Sequence, residues 1–326
     1  MDATGAAFSA AAAGYAAFAA ATWDCKASPA DFGPLWLARG IRSVLKAAMG
    51  LVGVTWEARF TLTPEETRAA LASLGSQGAL GCVSPHGCYS VAGLMLGAPA
   101  FRCAPELMGL RVTFLAASVL FYVPVLREFL LLFGAREATK ETAARLVGAG
   151  RIVALCPGGI WEQVHTDCEQ EKVFVMARRG FIRLALELGV PLFPMYGFGE
   201  GQLFTTHRTF LSQRRWIARR LRVGLPWMSG RFGLGLGHCG PAIPWPTHVV
   251  HYLGQPISRP LSAASSPRVR QTGSSPAEAA EADVHAFYLA YVESMQELFN
   301  THKDELLPPA VAANGLIIEW LGEPKK

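Results

Sequence analysis

The chain has 326 residues, of which 51% are hydrophobic and only 17% are charged, and its formal net charge is +5. A chain of this length can bury a core within one domain. Its composition is apolar for a soluble enzyme but too polar for a polytopic membrane protein. The mild positive charge does not call for a nucleic-acid partner, and it suits an anionic membrane surface or a phosphate-bearing substrate. We therefore expect a globular protein that is associated with a membrane.

The first 60 residues predict a membrane-associating segment. Residues 5–23 carry no charge and are mostly alanine, which leaves a marginal transmembrane helix and a disordered leader as alternatives. Residues 35–56 predict a basic amphipathic helix, because Arg39, Arg42 and Lys46 recur at helical spacing among apolar residues. Such a helix lies either in the bilayer interface or on a globular core, and the apolar chain that follows favours the interface.

From residue 78 onward, apolar runs typical of buried strands alternate with helical patterns. The predicted strands are 78–83, 152–156, 191–196 and 249–254, and the predicted helices are 140–148, 172–188 and 284–299. An apolar run at 112–126 predicts a buried strand or helix. The arginine-rich stretch 207–222 predicts a helix that faces either a membrane or solvent, and 261–283 predicts a flexible insertion. The alternation predicts an α/β fold.

Cysteine usage predicts reduced thiols and no metal site. The seven cysteines include no Cys-x-x-Cys pair and several lie inside apolar runs. The His and Cys residues that stand close together have no second pair at zinc spacing, so we expect no bound metal.

Two predicted strands end in residues suited to proton transfer. His86 follows the first strand within Ser84-Pro85-His86-Gly87, and Glu162 follows the second, just after Gly158-Gly159. Histidine exchanges a proton near neutral pH, and glycines allow a substrate or backbone to approach closely. The pattern predicts a site at these strand ends, with His86 as a base.

The ordered blocks of this chain resemble those of the diacylglycerol acyltransferase type 2 family, which includes monoacylglycerol and wax-ester acyltransferases. The resemblance runs from about Leu80 to Leu306. Its blocks are Ser84-Pro85-His86-Gly87, Pro124-Val125-Leu126-Arg127-Glu128, Gly158-Gly159-Ile160-Trp161-Glu162 and the long block from Arg179-Gly180-Phe181 to Phe198-Gly199-Glu200. Ser84 stands where the family has its first histidine. Val91 stands where the wider glycerolipid acyltransferase superfamily has an aspartate.

The resemblance implies a mixed central sheet flanked by helices, with N-terminal membrane-associating helices and an acyltransferase domain at 61–326. It implies acyl-CoA-dependent esterification of a neutral lipid alcohol, with diacylglycerol as the first candidate and monoacylglycerol or a long-chain alcohol as alternatives. Acyl-CoA is then a co-substrate and no cofactor is expected. The expected location is the cytosolic face of the endoplasmic reticulum membrane or a lipid droplet. An inactive lipid-binding scaffold is the rival interpretation, because Ser84 replaces a histidine and the carboxylate that would orient His86 is missing.

Within this resemblance, His86 is the candidate general base, and Glu162 is a catalytic partner that orients His86 or binds the acceptor hydroxyl. The candidate substrate-binding residues are Ser84, Pro85, Gly87, Arg127, Glu128, Gly158, Gly159, Arg179, Gly180, Phe181 and Glu200. Arg127 and Arg179 are candidates for the phosphates of coenzyme A, with ion pairing to nearby acids as the alternative. No Gly-x-Ser-x-Gly elbow is present, so we expect direct transfer, with Cys88 and Cys156 as rival nucleophiles.

Overall fold

The computed structural model describes residues 3–73, 78–88, 110–175, 179–233, 242–258 and 276–318, and only the backbone of 3–8 and 276–279. The helices are α1 (Ala3–Ala21), α2 (Leu35–Leu51), α3 (Pro64–Ser73), α4 (Leu126–Leu132), α5 (Lys140–Gly148), α6 (Gly159–His165), α7 (Gly180–Leu188), α8 (Leu211–Leu221), α9 (Pro276–Leu306) and α10 (Pro309–Asn314). The strands are β1 (Thr55–Phe60), β2 (Ala79–Ser84), β3 (Val112–Ala116), β4 (Arg136–Glu137), β5 (Ile152–Leu155), β6 (Glu171–Val173), β7 (Leu192–Phe198), β8 (Thr205–Thr206), β9 (Met228–Ser229), β10 (His248–Leu253) and β11 (Leu316–Ile318).

Seven of the described strands form one mixed sheet in the order β1-β10-β7-β2-β5-β3-β4. The strands from β7 to β4 are parallel to one another, whereas β10 runs antiparallel to β7 and pairs in parallel with β1. The predicted mixed sheet with flanking helices is therefore confirmed. Because the central strands are parallel, their carboxyl ends meet at one edge of the sheet.

Both faces of the sheet are covered, which explains why β2 is apolar at successive positions. Leu80 and Cys82 face a core formed with α7 and α9, whereas Ala79 and Val83 face a second core that includes Leu71 of α3. Helix α9 buries the predicted aromatic stripe of Phe287, Tyr291, Met295 and Leu298 in the first core. That stripe is packing, as the helical spacing predicts.

Three predicted boundaries are wrong, two of them because non-local pairing overrides the local pattern. The predicted helix 172–188 begins only at Gly180, since Glu171–Val173 pairs with β11 as a strand. The predicted helix 35–56 ends at Leu51, and Thr55–Phe60 joins the central sheet beside β10. The third error concerns the predicted insertion at 261–283. Helix α9 begins at Pro276, inside that range, and residues 261–275 lie outside the described part of the chain.

The alanine-rich segment forms helix α1, whose described side chains from residue 9 onward are mostly exposed. No helix in the described part of the chain combines the length and apolar character needed to cross a membrane. A 3-10 turn at Trp23–Ala27 follows α1 and packs next to the turn at Ser118–Tyr122, where Trp23 meets Tyr122 edge to face at 5.1 Å. The turn that follows α1 therefore lies against the α/β domain.

Candidate active site

The carboxyl ends of β2, β5 and β7 meet because these strands are parallel neighbours. His86 follows β2, the Gly158-Gly159 turn follows β5, and Glu200 follows β7. Open parallel sheets bind their ligands outside this edge. Residues that are distant in the sequence thus converge on the turn that carries His86.

His86 is half-buried, and its ring is held by the neighbouring backbone. Its Nδ1 lies 3.2 Å from the carbonyl oxygen of Gly87. A carbonyl only accepts hydrogen bonds, so this contact assigns the proton to Nδ1 and the lone pair to Nε2. Burial lowers the pKa of His86, and the Gly87 carbonyl and the Glu200 carboxylate oppose this with smaller raising effects. The ring is therefore neutral at pH 7 and accepts a proton through Nε2.

Glu162 is buried on α6, and its carboxylate binds main-chain groups. Oε2 accepts a hydrogen bond from the N–H of His86 at 2.9 Å, and Oε1 accepts one from the N–H of Phe174 at 3.0 Å. Hydrogen bonds to an ionised group are roughly twice as strong as neutral ones. These two bonds tie the His86 turn to the segment after β6, and they act on the main chain of His86 rather than on its ring.

The Gly158-Gly159 turn provides the space that Glu162 needs. A Cβ at Gly158 would lie 2.2 Å from Cδ of Glu162, well inside van der Waals contact. Gly159 has φ near +50°, in the left-handed region that glycine adopts most readily. The Gly-Gly-x-x-Glu pattern therefore allows the carboxylate to fold back against its own turn.

Glu200 is buried beside the His86 turn and pairs with a histidine that no sequence motif singled out. Its Oε2 lies 3.2 Å from Nε2 of His251 on β10. A Cβ at Gly87, where φ is +67°, would lie 2.7 Å from Cγ of Glu200, so this glycine is required both for its conformation and for the close approach. His251 looks like an ordinary strand residue, and only its pairing with Gly197 of β7 brings it to the site.

A third buried carboxylate, Glu171, was not identified from the sequence. It accepts hydrogen bonds from the Tyr196 hydroxyl at 2.6 Å and from Nε2 of Gln202 at 2.9 Å. Burial raises the pKa of Glu171, and the nearby charge of Glu200 raises it further. Because Tyr196 and Gln202 lie on either side of Glu200, this cluster supports the segment that carries Glu200.

Ser84 lies on the core face of β2, beneath α9. It is fully buried, and among the described residues its Oγ makes no hydrogen bond of standard geometry. Burial raises the pKa of the Tyr291 hydroxyl well above its ordinary value, and the nearby Ser84 opposes this by lowering it. The Ser84-Pro85 peptide bond is cis. Position 84 is therefore a core position, unlike His86.

Arg127 and Glu128 hold the N-terminal segment. The Arg127 guanidinium is buried; it donates to Glu128 at 2.6 Å and to both the carbonyl and the hydroxyl oxygen of Thr22. Glu128 accepts a hydrogen bond from the Tyr15 hydroxyl at 2.9 Å. These internal contacts favour the ion-pair alternative for Arg127 over the predicted coenzyme A phosphate contact.

We expect Arg127→Ala to loosen the attachment of α1 to the domain. The variant loses charge-assisted hydrogen bonds to Glu128 and Thr22, which corresponds to about 2 to 3 kcal/mol. Limited proteolysis should then cleave residues 22–34 faster than in the unchanged protein. Arg145→Ala is the matched control, because Arg145 makes one exposed contact, to the Ala27 carbonyl. Equal cleavage rates for the two variants would contradict the assignment.

Arg179, Gly180 and Phe181 begin α7, and the two side chains face α9. Arg179 lies 3.5 Å from Glu281 and its guanidinium sits over the Tyr288 ring at 5.2 Å. Phe181 packs edge to face against Tyr291 at 5.2 Å. Gly180 is exposed, with open space around it. These contacts hold α9 against the domain. They favour the ion-pair alternative for Arg179, as for Arg127.

Comparison with known proteins agrees with the family resemblance that these blocks indicate. A diacylglycerol O-acyltransferase 2 of Dictyostelium discoideum is 27% identical over 234 residues, which cover 68% of this chain and 64% of that protein. A human 2-acylglycerol O-acyltransferase 3 is 26% identical, covering 62% of this chain and 57% of that protein. A mouse acyl-CoA wax alcohol acyltransferase 2 is 26% identical, covering 60% of this chain and 56% of that protein.

The chain thus spans about three fifths of the length of these relatives. The family model described as diacylglycerol acyltransferase matches residues 76–311, which include the His86 turn, the Gly158-Gly159 turn and Glu200. On this match over most of its length, the chain belongs to the diacylglycerol acyltransferase family.

Proposed function

We propose that this chain is an acyl-CoA-dependent O-acyltransferase that esterifies a neutral lipid alcohol, with diacylglycerol as the first acceptor. The observation that carries the proposal is the neutral imidazole of His86, whose Nε2 lone pair is available and whose main chain is held by Glu162. Esterification requires such a base to take the proton of the attacking hydroxyl. Acyl-CoA serves as a co-substrate, and no cofactor takes part.

In the proposed reaction, Nε2 of His86 removes the proton of the acceptor hydroxyl as its oxygen attacks the thioester carbonyl. The carbon–sulfur bond then breaks, and the imidazolium returns the proton to the departing thiolate of coenzyme A. The products are an ester and free coenzyme A, and the histidine regains its starting state. Glu162 positions the main chain of the base, while Gly87 and Glu200 set the geometry of its turn.

Direct transfer is favoured over a cysteine-linked intermediate. The nucleophile of a cysteine route is the thiolate, so the thiol must lose its proton near neutral pH. Burial raises the pKa of Cys88 to about 12 and raises that of Cys156 well above its ordinary value. Both groups are thiols at neutral pH, which argues against either as the attacking group.

The acceptor is proposed from the names of the relatives. They are named for the acylation of diacylglycerol, 2-acylglycerol and wax alcohol, all of which present a neutral hydroxyl. Monoacylglycerol and long-chain alcohols therefore remain the alternative acceptors. The scaffold interpretation rested on Ser84 and on the missing carboxylate that would orient His86. The position of Ser84 in the core beneath α9 leaves the His86 turn intact, and Glu162 holds the main chain of that turn.

We also propose that the N-terminal helices attach the protein to the cytosolic face of a membrane, expected to be the endoplasmic reticulum or a lipid droplet. Helix α2 buries Ala38 against the domain but leaves Trp36 73%, Val44 68% and Leu51 89% exposed. The helical positions of these side chains form one apolar face, which Arg39 and Lys46 flank. This combination suits a helix lying in the bilayer interface.

The test is acyl transfer from labelled acyl-CoA by membranes that contain this chain. Diacylglycerol, monoacylglycerol, a fatty alcohol and lysophosphatidate should be offered separately as acceptors. We expect an ester product with a neutral acceptor, above all with diacylglycerol. The absence of product with every acceptor, from intact membrane-bound protein, would favour the scaffold.

The activity should persist on the acid side of the ordinary histidine pKa of 6.5. Because burial lowers the pKa of His86, the ring stays neutral below pH 6.5, and the reaction is lost only as the pH falls through this lowered value. The measurement is kcat/KM as a function of pH, with the fold followed by circular dichroism at each pH. An acid limb centred above pH 6.5 would contradict the assignment of His86.

A further inference from the structure

Helix α8 and its flanks carry more positive charge than the described carboxylates neutralise. Arg208 pairs with Asp167 at 3.3 Å, but no described carboxylate lies within ion-pair distance of the four exposed arginines that follow. Those arginines are Arg215, Arg219, Arg220 and Arg222. Like charges four residues apart on a helix repel one another, and Arg215 and Arg219 have this spacing. A local excess of positive charge of this kind favours the binding of an anion.

Arg215 and Arg219 are oriented by neutral partners on α6. Nε of Arg215 donates a hydrogen bond to Nε2 of His165 at 2.8 Å, and the Arg219 guanidinium lies over the Trp161 ring at 5.0 Å. His165 is neutral, because burial and the surrounding positive charges lower its pKa to about 4. Both guanidinium groups are therefore held in place, and no carboxylate in the described part of the chain neutralises their charges.

These contacts place the arginines against α6, the helix that carries Glu162. Trp161 is the sequence neighbour of Glu162, whose carboxylate holds the main chain of His86. Buried Arg214 anchors α8 by donating to the carbonyl oxygens of Val164, His207 and Leu225. Burial raises the pKa of the Cys88 thiol, two residues after His86, and the nearby charge of Arg214 opposes this by lowering it. Helix α8 therefore borders the edge of the sheet where His86 lies.

We propose that Arg215 and Arg219 form a subsite for the phosphate groups of acyl-CoA. The inference rests on the proposed function and replaces Arg127 and Arg179 in this role, because those residues are engaged with Glu128 and Glu281. Guanidinium groups match phosphate oxygens with paired hydrogen bonds. This placement requires the pantetheine arm of the coenzyme to reach from the phosphates at α8 to the thioester at His86.

The first test measures the binding of free coenzyme A, which requires no turnover. We expect Arg215→Gln and Arg219→Gln each to raise the Kd by about three- to tenfold, and the double variant to raise it further. Arg220→Gln is the matched control, because it removes the same charge from the same helix but has no described partner on α6; its Kd should change by less than about twofold. All replaced side chains are exposed, so the melting temperature should stay the same.

The second test separates coenzyme phosphates from phosphate headgroups of lipids. Vesicles of phosphatidylcholine alone and with phosphatidylserine should bind the double variant and the Arg220→Gln control equally well. If the double variant loses vesicle binding while its Kd for coenzyme A is unchanged, the site binds headgroups and the proposal is overturned. Equal loss of coenzyme A binding in the control would also overturn it, since a diffuse charge effect would then explain the result.

The two proposals can fail independently. If unchanged protein binds coenzyme A through these arginines but esterifies no acceptor, the subsite stands and the proposed function falls. If the protein is active and the KM for acyl-CoA is unaffected in the double variant, the function stands and the subsite falls. If both proposals are correct, we expect the double variant to have a higher KM for acyl-CoA and an unchanged kcat. This is the pattern of a contact that is made equally in the ground state and the transition state.

Discussion

Replacing His86 with alanine should lower kcat/KM for acyl transfer by a factor of about 10² to 10⁴, the usual contribution of a general base. The neutral ring presents Nε2 for proton transfer because Nδ1 is held by the Gly87 carbonyl. Alanine removes this acceptor and leaves the main-chain N–H of residue 86, which Glu162 binds, unchanged. The fold should therefore survive the substitution.

The assay compares esterification rates at saturating and limiting acyl-CoA, with melting temperatures recorded for each variant. His248→Ala is the matched control, because His248 is exposed on β10 and its ring contacts Thr55 and Glu57 rather than the site. We expect near-normal activity in this control. If His86→Ala retained comparable activity, His86 would be a structural residue and the proposed mechanism would be wrong.

Gly158→Ala should cost about 2 to 4 kcal/mol of unfolding free energy and about a hundredfold in activity. The new methyl group would lie 2.2 Å from Cδ of Glu162 and would force the carboxylate off its bonds to the N–H groups of His86 and Phe174. Buried N–H groups without partners are costly, and a displaced His86 turn moves the base away from its substrate.

Chemical denaturation measures the stability change, and Gly148→Ala is the matched control. Nothing lies within 4 Å of a Cβ at Gly148 on α5, so this change should be neutral or slightly stabilising. A double-mutant cycle with Glu162→Ala identifies the cause, because Gly158→Ala should cost much less once the carboxylate is absent. Equal costs in both backgrounds would mean that the clash with Glu162 is not responsible.

Local sequence patterns predicted the strands that are covered by other elements on both faces. Strands β2 and β5 are covered on both faces, so their apolar runs were sufficient to place them. Strands β1 and β6 were missed because each depends on a partner distant in the sequence, β10 and β11 respectively. A short polar segment such as Glu171–Val173 has no pattern of its own that distinguishes a strand from the start of a helix.

For the candidate site too, the sequence indicated the role of some residues but not of others. The ordered blocks identified His86, Glu162 and Glu200, since each follows a recognisable strand and is accompanied by a glycine at a turn. Arg127 belongs to an equally clear block, yet its guanidinium faces Thr22 and Glu128 of the N-terminal attachment. A block alone does not distinguish a residue that contacts substrate from one that fastens a helix.

The sequence by itself determined the class of fold, the family and the residue types at the strand ends, because these depend on local hydrophobic runs and on short ordered blocks. Only the tertiary structure decided that Glu162 binds the main chain of His86, that His251 meets Glu200 and that Arg215 and Arg219 border α6. These contacts join residues that are distant in the chain. Their geometry depends on strand order and helix packing, which local patterns do not encode.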